Sequence, residues 1–134
     1  AAGIRYSFFY LAGISGAGRG ETGAERTAAL CNCLHPITVG ANMLTIYPDS
    51  ALFGEIKHGN WQEESELEKY RELRTLVAQL RIETTFAAFG ASNAFQMQGS
   101  LPNEQKKLLS VLDRIIETVS EEELRRYRKA VHHL

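Results

Sequence analysis

The segment that constrains the fold most is residues 4–14, IRYSFFYLAGI. It is rich in β-branched and aromatic residues, it carries apolar side chains on both faces of an extended chain, and glycines bound it on each side. Strands that are apolar on both faces are typical of parallel sheets covered by helices. The segment therefore predicts a buried, parallel strand and, with it, an α/β fold.

A glycine-rich turn and a helix follow this strand. Residues 15–20 read SGAGRG, and residues 21–34 repeat small and apolar side chains at helical spacing until Pro36 stops the helix. Residues 38–47, TVGANMLTIY, have the composition of a second strand. A strand, a helix and a strand in this order predict a right-handed βαβ unit.

The remaining residues predict mainly helices, with one more strand among them. We expect a short helix over 50–58 with Ser50 as its N-cap, a long helix over 63–80, a strand over 84–89, an irregular polar stretch over 90–101, and helices over 103–119 and 120–134. The polar face of the 63–80 helix is a run of charges that we expect to be solvated. A parallel sheet of three strands leaves two open edges, which upstream residues, a second copy or the terminal helices would have to cover.

Composition and charge exclude several classes of function. The chain has 134 residues, a formal net charge of −1 and 44% hydrophobic residues, which is typical of one ordinary soluble domain. Basic and acidic residues are mixed, so we expect no nucleic-acid-binding face. The longest apolar stretch is far shorter than the roughly 20 residues that cross a bilayer. We expect a cytoplasmic protein without membrane contact.

The two cysteines do not form a recognisable metal or disulfide motif. Cys31 and Cys33 stand one residue apart in a predicted helix, where their side chains point about 200° apart. They cannot bridge each other, and His35 alone leaves a zinc site short of ligands. We expect both to be buried, small apolar residues in a reducing compartment, and we expect no metal site in this chain.

The glycine turn is the sharpest local candidate for a binding site. The backbone N–H groups of residues 13–21, GISGAGRGE, lie between a strand and a helix, where such groups hold anions or the edge of a nucleotide. The segment is not a P-loop, because no Gly-Lys-Ser/Thr follows, and its spacing does not fit a dinucleotide fingerprint. A turn whose glycines serve only close packing is the alternative.

Other loops at the same predicted edge are weaker candidates. Residues 47–53 end one strand and begin a helix, and a structural turn explains them equally well. Ser92 and Asn93 follow the third strand, and the Asn93 amide can both donate and accept for a ligand or stabilise a turn. The glutamates of residues 63–72 and 121–123 are not paired in an apolar pocket by any sequence pattern, so we predict no catalytic residue.

The order of these segments resembles the downstream portion of radical S-adenosylmethionine proteins, often described as similar to oxygen-independent coproporphyrinogen III oxidase or to Elongator protein 3. The resemblance covers nearly the whole chain. Its segments are FYLAGISGAGRGE, LCNCLHP, NMLTIYPDSALFGEI, ELEKYRELRTLVAQL and FGASNAFQMQGSLPNEQKKLLSVLD. YPDSALF resembles the family's Tyr-Pro-Gly-Thr-Pro-Leu-Tyr turn, and GSLPNEQKKLL resembles its Gly-x-Leu-Pro-x-(Asp/Glu)-Lys segment.

This resemblance implies a partial (half) parallel β/α barrel of about three strands with a C-terminal helical extension. Residues 1–100 would be the later part of the barrel, and residues 101–134 the extension packed on it. In such proteins three cysteines, spaced Cys-x3-Cys-x2-Cys, hold a [4Fe–4S] cluster whose open iron binds S-adenosylmethionine. That motif is absent from this chain. We therefore expect both cofactors in a longer parent enzyme of unidentified substrate, none bound in this chain, and no catalysis by this chain alone.

The resemblance also implies roles for two loops. Gly13, Ile14, Ser15 and Gly16 stand where the family has a stretch close to the adenine of the cofactor. Ser92 and Asn93 would belong to a substrate-side loop, although relatives often have a histidine near Ala91, where this chain differs.

The first residues of the chain indicate what its partner would be. Ala1-Ala2-Gly3 resembles the capped end of a severed helix, so the expected partner is the missing N-terminal half of the barrel or a second copy of the chain. The alternative function is a non-catalytic α/β module for binding or self-association, because half a barrel exposes apolar surface that a symmetric dimer can cover.

Overall fold

The structure is a computed structural model that describes residues 3–130, and it has an α/β fold. A four-stranded, mostly parallel open sheet has the order β1-β2-β3-β4. The strands are β1 (Ser7–Ala12), β2 (Thr38–Met43), β3 (Thr84–Ala88) and β4 (Met97–Leu101). The helices are α1 (Gly20–Leu34), α2 (Ala51–Lys57), α3 (Glu66–Gln79), α4 (Gln105–Thr118) and α5 (Glu121–Ala130). The expected helix end at Ala1-Ala2 and the last four residues of the chain lie outside the described range.

The strand pairing confirms the predicted parallel sheet and adds one strand to it. β1 pairs with β2 and β2 pairs with β3 in parallel, whereas β4 pairs with β3 in the antiparallel direction. The prediction that residues 90–101 are irregular is wrong for Met97–Leu101. Glycine, glutamine and serine have low strand propensity, and pairing with β3 overrides that propensity.

Within residues 3–130, helices cover one face of the sheet. Side chains that point to this face form the core together with α1, α3, α4 and Leu124 of α5. The opposite face is open, with Phe9 76% exposed and Leu11 39% exposed. The prediction that residues 4–14 are buried is therefore wrong for one of the two faces of β1. The core side chains of the sheet are Tyr10, Ala12, Val39, Ala41, Met43, Phe86, Ala88, Met97 and Leu101.

Local hydrogen bonds explain where the helices begin. Ser50 accepts from the N–H of Phe53, which confirms it as the N-cap of α2. Ser65 and Glu68 form a capping box at the start of α3, which begins three residues later than the charge pattern suggested. The Ser120 hydroxyl accepts from the N–H of Glu123 at the start of α5.

The two C-terminal helices pack against α3. Arg74 of α3 forms an ion pair with Asp113 of α4. The carboxylate of Glu121, at the start of α5, accepts from the N–H groups of Glu66 and Leu67, at 2.9 Å each. A carboxylate at a helix N-terminus is favourable because it satisfies N–H groups that have no intrahelical partner. Within residues 3–130, no helix combines the length and apolar character that a membrane span requires.

Candidate functional site

Loops at the carboxyl ends of the three parallel strands form the candidate site. The glycine loop, residues 13–20, follows β1, residues 44–50 follow β2, and residues 89–96 follow β3. Open α/β sheets bind their ligands at this edge, because parallel strands bring successive loops to the same side. The sequence placed its candidate site residues in the first and third of these loops and a weaker candidate, residues 47–53, at the end of the second.

The glycine loop is a close-packed turn. Gly13 and Gly16 have φ values of 99° and 89°, in a region that side chains with a Cβ atom rarely adopt. A Cβ atom on Gly16 would lie 2.8 Å from Nε1 of Trp61 and 3.2 Å from the carbonyl oxygen of Gln62. Ala17 donates to that same carbonyl at 2.9 Å. The loop therefore needs glycine at position 16 so that it can lie against residues 61–62.

Six of the eight backbone N–H groups of this loop are already hydrogen-bonded within the protein. Gly13 donates to Oε2 of Glu72 at 3.0 Å, and Gly18 donates to Oε1 of Glu68 at 3.1 Å. The N–H groups of residues 14, 16, 17 and 19 donate to backbone carbonyl oxygens. The prediction that free N–H groups await an anion is therefore wrong for these donors, because carboxylates of α3 already occupy that position.

Ile14 and Ser15, two residues of the predicted cofactor-binding stretch, differ in how accessible their side chains are. Ile14 is 47% exposed, so its apolar surface is available to a ligand. Ser15 is half-buried, and its Oγ lies 2.5 Å from the position that a Cβ atom on Gly23 would occupy. Ile14 is thus the residue of this group whose side chain is most accessible.

Several charged side chains of α3 are buried, contrary to the prediction that its polar face is solvated. Lys69 and Glu72 are fully buried, and Glu66 is 7% exposed. Nζ of Lys69 lies 3.0 Å from Oε1 of Glu66 and 3.2 Å from Oε1 of Glu63. The sequence held a signal for this: Lys69 stands four residues before Leu73, and Glu72 stands four residues before Leu76, at the spacing that places side chains on one face of a helix.

A buried carboxyl pair lies below the glycine loop. Glu72 accepts a hydrogen bond from the Tyr10 hydroxyl of β1, and Glu64, 3% exposed, lies beside Glu72. Burial, together with Glu72, raises the pKa of Glu64 to about 8. Burial and the hydrogen bond to Glu72 also raise the pKa of Tyr10, so its hydroxyl keeps its proton. The sequence does not mark this carboxyl pair or its Tyr10 partner, because Tyr10 reaches Glu72 only in the tertiary fold.

The substrate-side candidate Asn93 is buried and contacts β2. Its Nδ2 atom donates to the carbonyl oxygen of Ala41 at 3.1 Å and to Oδ1 of Asn42 at 3.3 Å. Its Oδ1 atom is buried and accepts no hydrogen bond from the residues that the structure describes. The structure does not bond it to the glycine loop: Asn93 bonds to β2, whereas that loop bonds to α3 and to residue 62.

Arg128 of α5 ties the second and third loops together. Its guanidinium donates to the carbonyl oxygens of Leu44 and Ser92, and its Nε lies 3.4 Å from Oε2 of Glu66. The sequence did not single out Arg128, because no local pattern distinguishes it from the other arginines of this charged helix. Its side chain is 13% exposed, so these contacts lie mostly beneath the protein surface.

Two clefts adjoin the buried carboxyl pair. One, of about 450 Å³, lies between the loop after β2 and α5, and acidic and basic side chains of both signs line it. The other, of about 170 Å³, lies beside Gly18 and Gly20, with Glu21, Glu68 and Arg71 around it. Glu64 lines both clefts. The site is therefore suited to a small polar or cationic ligand rather than to a large apolar one.

The cysteines do not contribute to this edge of the sheet. Cys31 is buried on α1, and Cys33 is exposed. The prediction that both are buried is right for Cys31 and wrong for Cys33, because side chains two residues apart on a helix cannot face the same core. Across residues 3–130, no group of three histidine, cysteine or acidic side chains is arranged to hold a metal ion.

Comparisons of the chain with protein-family models, with curated proteins and with solved structures give no match. The class that the fold defines is an α/β protein with a mostly parallel open sheet, helices on one face and a polar site at its carboxyl edge. A more specific function is proposed from the residues themselves.

Proposed function

We propose that this chain is the carboxyl-terminal part of a radical S-adenosylmethionine enzyme, in which it forms the later strands of a partial β/α barrel. Its glycine loop would lie beside the adenine of S-adenosylmethionine. The parent enzyme's cluster-binding cysteines would lie in residues outside this chain, so the chain alone would not be catalytic. The resemblance described above supplies the family, and the open face of the sheet supplies the structural support.

The uncovered face of the sheet is the observation that carries this proposal. In a β/α barrel, parallel strands follow one another in chain order, helices cover the outside, and the other face points inward. β1, β2 and β3 are parallel and sequential, and Phe9 on the open face is 76% exposed. A doubly wound sheet would instead carry helices on both faces. The single covered face therefore favours a barrel wall.

The open face also carries a row of hydroxyl side chains at one end of the sheet. Register places Ser7, Thr38, Thr85 and Ser100 in one row across the four strands. This row lies at the amino ends of the three parallel strands, so it does not line the candidate site at their carboxyl ends. β4 is antiparallel to β3, so the parallel part of the proposed wall ends at β3.

The residues of this chain fit one implied cofactor and do not fit the other. S-adenosylmethionine carries a flat adenine, and the half-exposed Ile14 offers it apolar contact. A [4Fe–4S] cluster needs three cysteine thiolates within reach, and the chain has two cysteines, one of them buried on α1. When bound to such a cluster, S-adenosylmethionine supplies a 5′-deoxyadenosyl radical. The part that this chain would play is to hold and orient the cofactor.

Binding of S-adenosylmethionine tests this proposal. The melting temperature of the chain should rise with added S-adenosylmethionine at roughly millimolar concentration, because a ligand that binds the folded state stabilises it. The variant Ile14→Ser should lose most of this rise and keep the melting temperature of the ligand-free chain, since Ile14 is half exposed. Inorganic phosphate serves as the control ligand and should give no rise, because the N–H groups of the loop are taken.

An unchanged melting temperature with S-adenosylmethionine would overturn the assignment of the glycine loop. An equal rise in the Ile14→Ser variant would move the binding site elsewhere on the chain.

Self-association is a second candidate function, and the open face favours it. Ile4 and Phe9 are each 76% exposed, and Phe89 is 52% exposed. Apolar surface of this kind is often covered by a partner, and a second copy would cover it symmetrically. Light scattering at two concentrations separates the candidates: a dimer that Phe9→Ser dissociates supports self-association, and a monomer at the higher concentration contradicts it.

A further inference from the structure

The glycine loop lies against two buried carboxyl groups that meet at the first residue of α1. Glu72 is fully buried, and Glu64 is 3% exposed. A Cβ atom added to Gly20 would overlap both Oε1 of Glu64 and Oε2 of Glu72, so the two carboxyl groups share the space beside this glycine. Both oxygen atoms lie within 2.6 Å of that Cβ position, so the two carboxyl groups face each other beside Gly20. A hydrogen bond between two carboxyl groups requires a proton on one of them.

The donors around the pair do not neutralise two negative charges. Glu72 accepts from the Tyr10 hydroxyl and from the N–H of Gly13, and both donors are uncharged. Lys69, the nearest buried cation on α3, is hydrogen-bonded to Glu63 and Glu66 instead. Oε2 of Glu64 is buried and accepts no hydrogen bond within residues 3–130. Two facing carboxylates in such a place cannot both be ionised at low cost.

We propose that Glu64 and Glu72 share one proton, and that this proton holds the glycine loop against α3 in the geometry that binds the ligand. The inference rests on the proposed function, because it concerns the loop assigned to S-adenosylmethionine. Glu64 and Glu72 are thus positioning residues that act through Gly13. When the proton leaves, two like charges repel each other, and this repulsion moves Glu72 away from the N–H of Gly13 that donates to it.

Charged groups of both signs surround Glu64 on several elements. Burial raises the pKa of Glu64 most, Glu72 and then Glu68 raise it further, and Lys69 lowers it. The small cleft adds Glu21 of α1 and Arg71 of α3. The large cleft adds further groups of both signs: Glu63, Glu66, Glu121, Arg125, Arg128 and Lys129. Because the clefts carry both signs, burial and Glu72 decide the direction, and the proton is present at neutral pH.

The chain carries a reporter of the loop's position. Trp61 is its single tryptophan. It lies against the loop, since a Cβ atom on Gly16 would be 2.8 Å from its Nε1 atom, and the neighbouring Gln62 accepts from Ala17. Release of the loop from α3 should expose the indole to water and change its fluorescence.

The test is a pH titration of Trp61 fluorescence in the whole chain without any ligand. We expect one transition with a midpoint near pH 8, where burial and Glu72 place the pKa of Glu64. In Glu64→Gln the transition should disappear, because the amide donates to Glu72 and does not titrate. The matched control is Glu63→Gln, which changes the adjacent, half-exposed carboxylate and should keep the transition.

Two results would overturn the inference: a wild-type chain without a transition, or an equal transition in Glu64→Gln. Should Glu64→Gln fail to fold, carboxyl ¹³C NMR of the unmodified chain decides instead. One glutamate carboxyl carbon should then titrate above pH 7, and none doing so contradicts the shared proton.

The same protein separates this inference from the proposed function. S-adenosylmethionine should bind at least about tenfold more weakly at pH 9 than at pH 7, a difference of about 1.4 kcal/mol. If no S-adenosylmethionine binds at any pH but the Trp61 transition is present, the cofactor assignment is wrong and the shared proton stands. If binding is equal at both pH values and no transition occurs, the shared proton is wrong and the cofactor assignment stands.

Discussion

The two faces of the sheet carry the same kinds of residue in different surroundings. Phe86 of β3 points to the helices and is fully buried, whereas Phe9 of β1 points away from them and is 76% exposed. Gly40 of β2 pairs with Phe9, and a Cβ atom there would lie 3.0 Å from the Phe9 ring. The covered face accounts for the stability of this fold. The open face retains apolar and hydroxyl side chains that its own core does not use.

The largest expected effect compares these two phenylalanines directly. Phe86→Ala should lower the free energy of unfolding by about 3–5 kcal/mol, because it leaves a cavity in the core. Phe9→Ala should lower it by less than about 1 kcal/mol, since most of its ring is already in water. Urea denaturation of both variants measures the difference. Similar losses would mean that the open face is covered in solution.

A second comparison sets a buried ion pair against an exposed one. Lys69→Met should lower the free energy of unfolding by about 3 kcal/mol, because it leaves buried Glu66 without a nearby lysine. Lys107→Met removes an exposed pair with Glu104 and should change stability by less than about 1 kcal/mol. Denaturant midpoints of the two variants report this. A mild effect of Lys69→Met would show that water reaches the carboxylates of α3.

The third prediction concerns the pH dependence of the stability that Glu64 contributes. The pKa of Glu64 rises from an ordinary value of 4.5 to about 8 in the folded chain, so the folded state keeps a proton that the unfolded chain loses. Stability contributed by this group is therefore full below pH 4.5 and is lost as the pH rises to about 8. The slope is at most about 1.4 kcal/mol per pH unit. Subtracting the Glu64→Gln profile from that of the wild type isolates this contribution, and identical profiles would contradict it.

The smallest effect is expected at the other end of the carboxyl edge. Asn93→Ala removes a hydrogen bond to the backbone of β2 and should lower the free energy of unfolding by about 1 kcal/mol. Asn103→Ala, at an exposed turn position, is the control and should change it little. Thermal denaturation followed by circular dichroism measures both. A loss well above that of one hydrogen bond would indicate that Asn93 organises the whole third loop.

Sequence patterns predicted those parts of the fold that local chemistry decides. Residues 4–14 and 38–47 are strand-forming by composition, and Ser50 caps a helix because its hydroxyl accepts from an N–H three residues later. β4 was missed because Met97–Leu101 becomes a strand only through pairing with β3. Propensity describes a segment by itself and does not include a partner strand.

The candidate site was predicted less well, for a physical reason. The glycine loop was located correctly between a strand and a helix, but its N–H groups were expected to be free. The carboxylates that take them, Glu68 and Glu72, come from a helix about 50 residues further along the chain. Arg128 reaches Ser92 across 36 residues and Leu44 across 84 residues. Contacts of this kind are decided by packing, and a single sequence carries little trace of them.

The open face remains the central point, since we explain it as the inner wall of a barrel that other residues complete. The most direct measurement is the sequence of the reading frame that encodes this chain, read upstream of Ala1. We predict a Cys-x3-Cys-x2-Cys triplet there, followed by further strand and helix segments. A reading frame in which no such triplet precedes the chain would contradict this account.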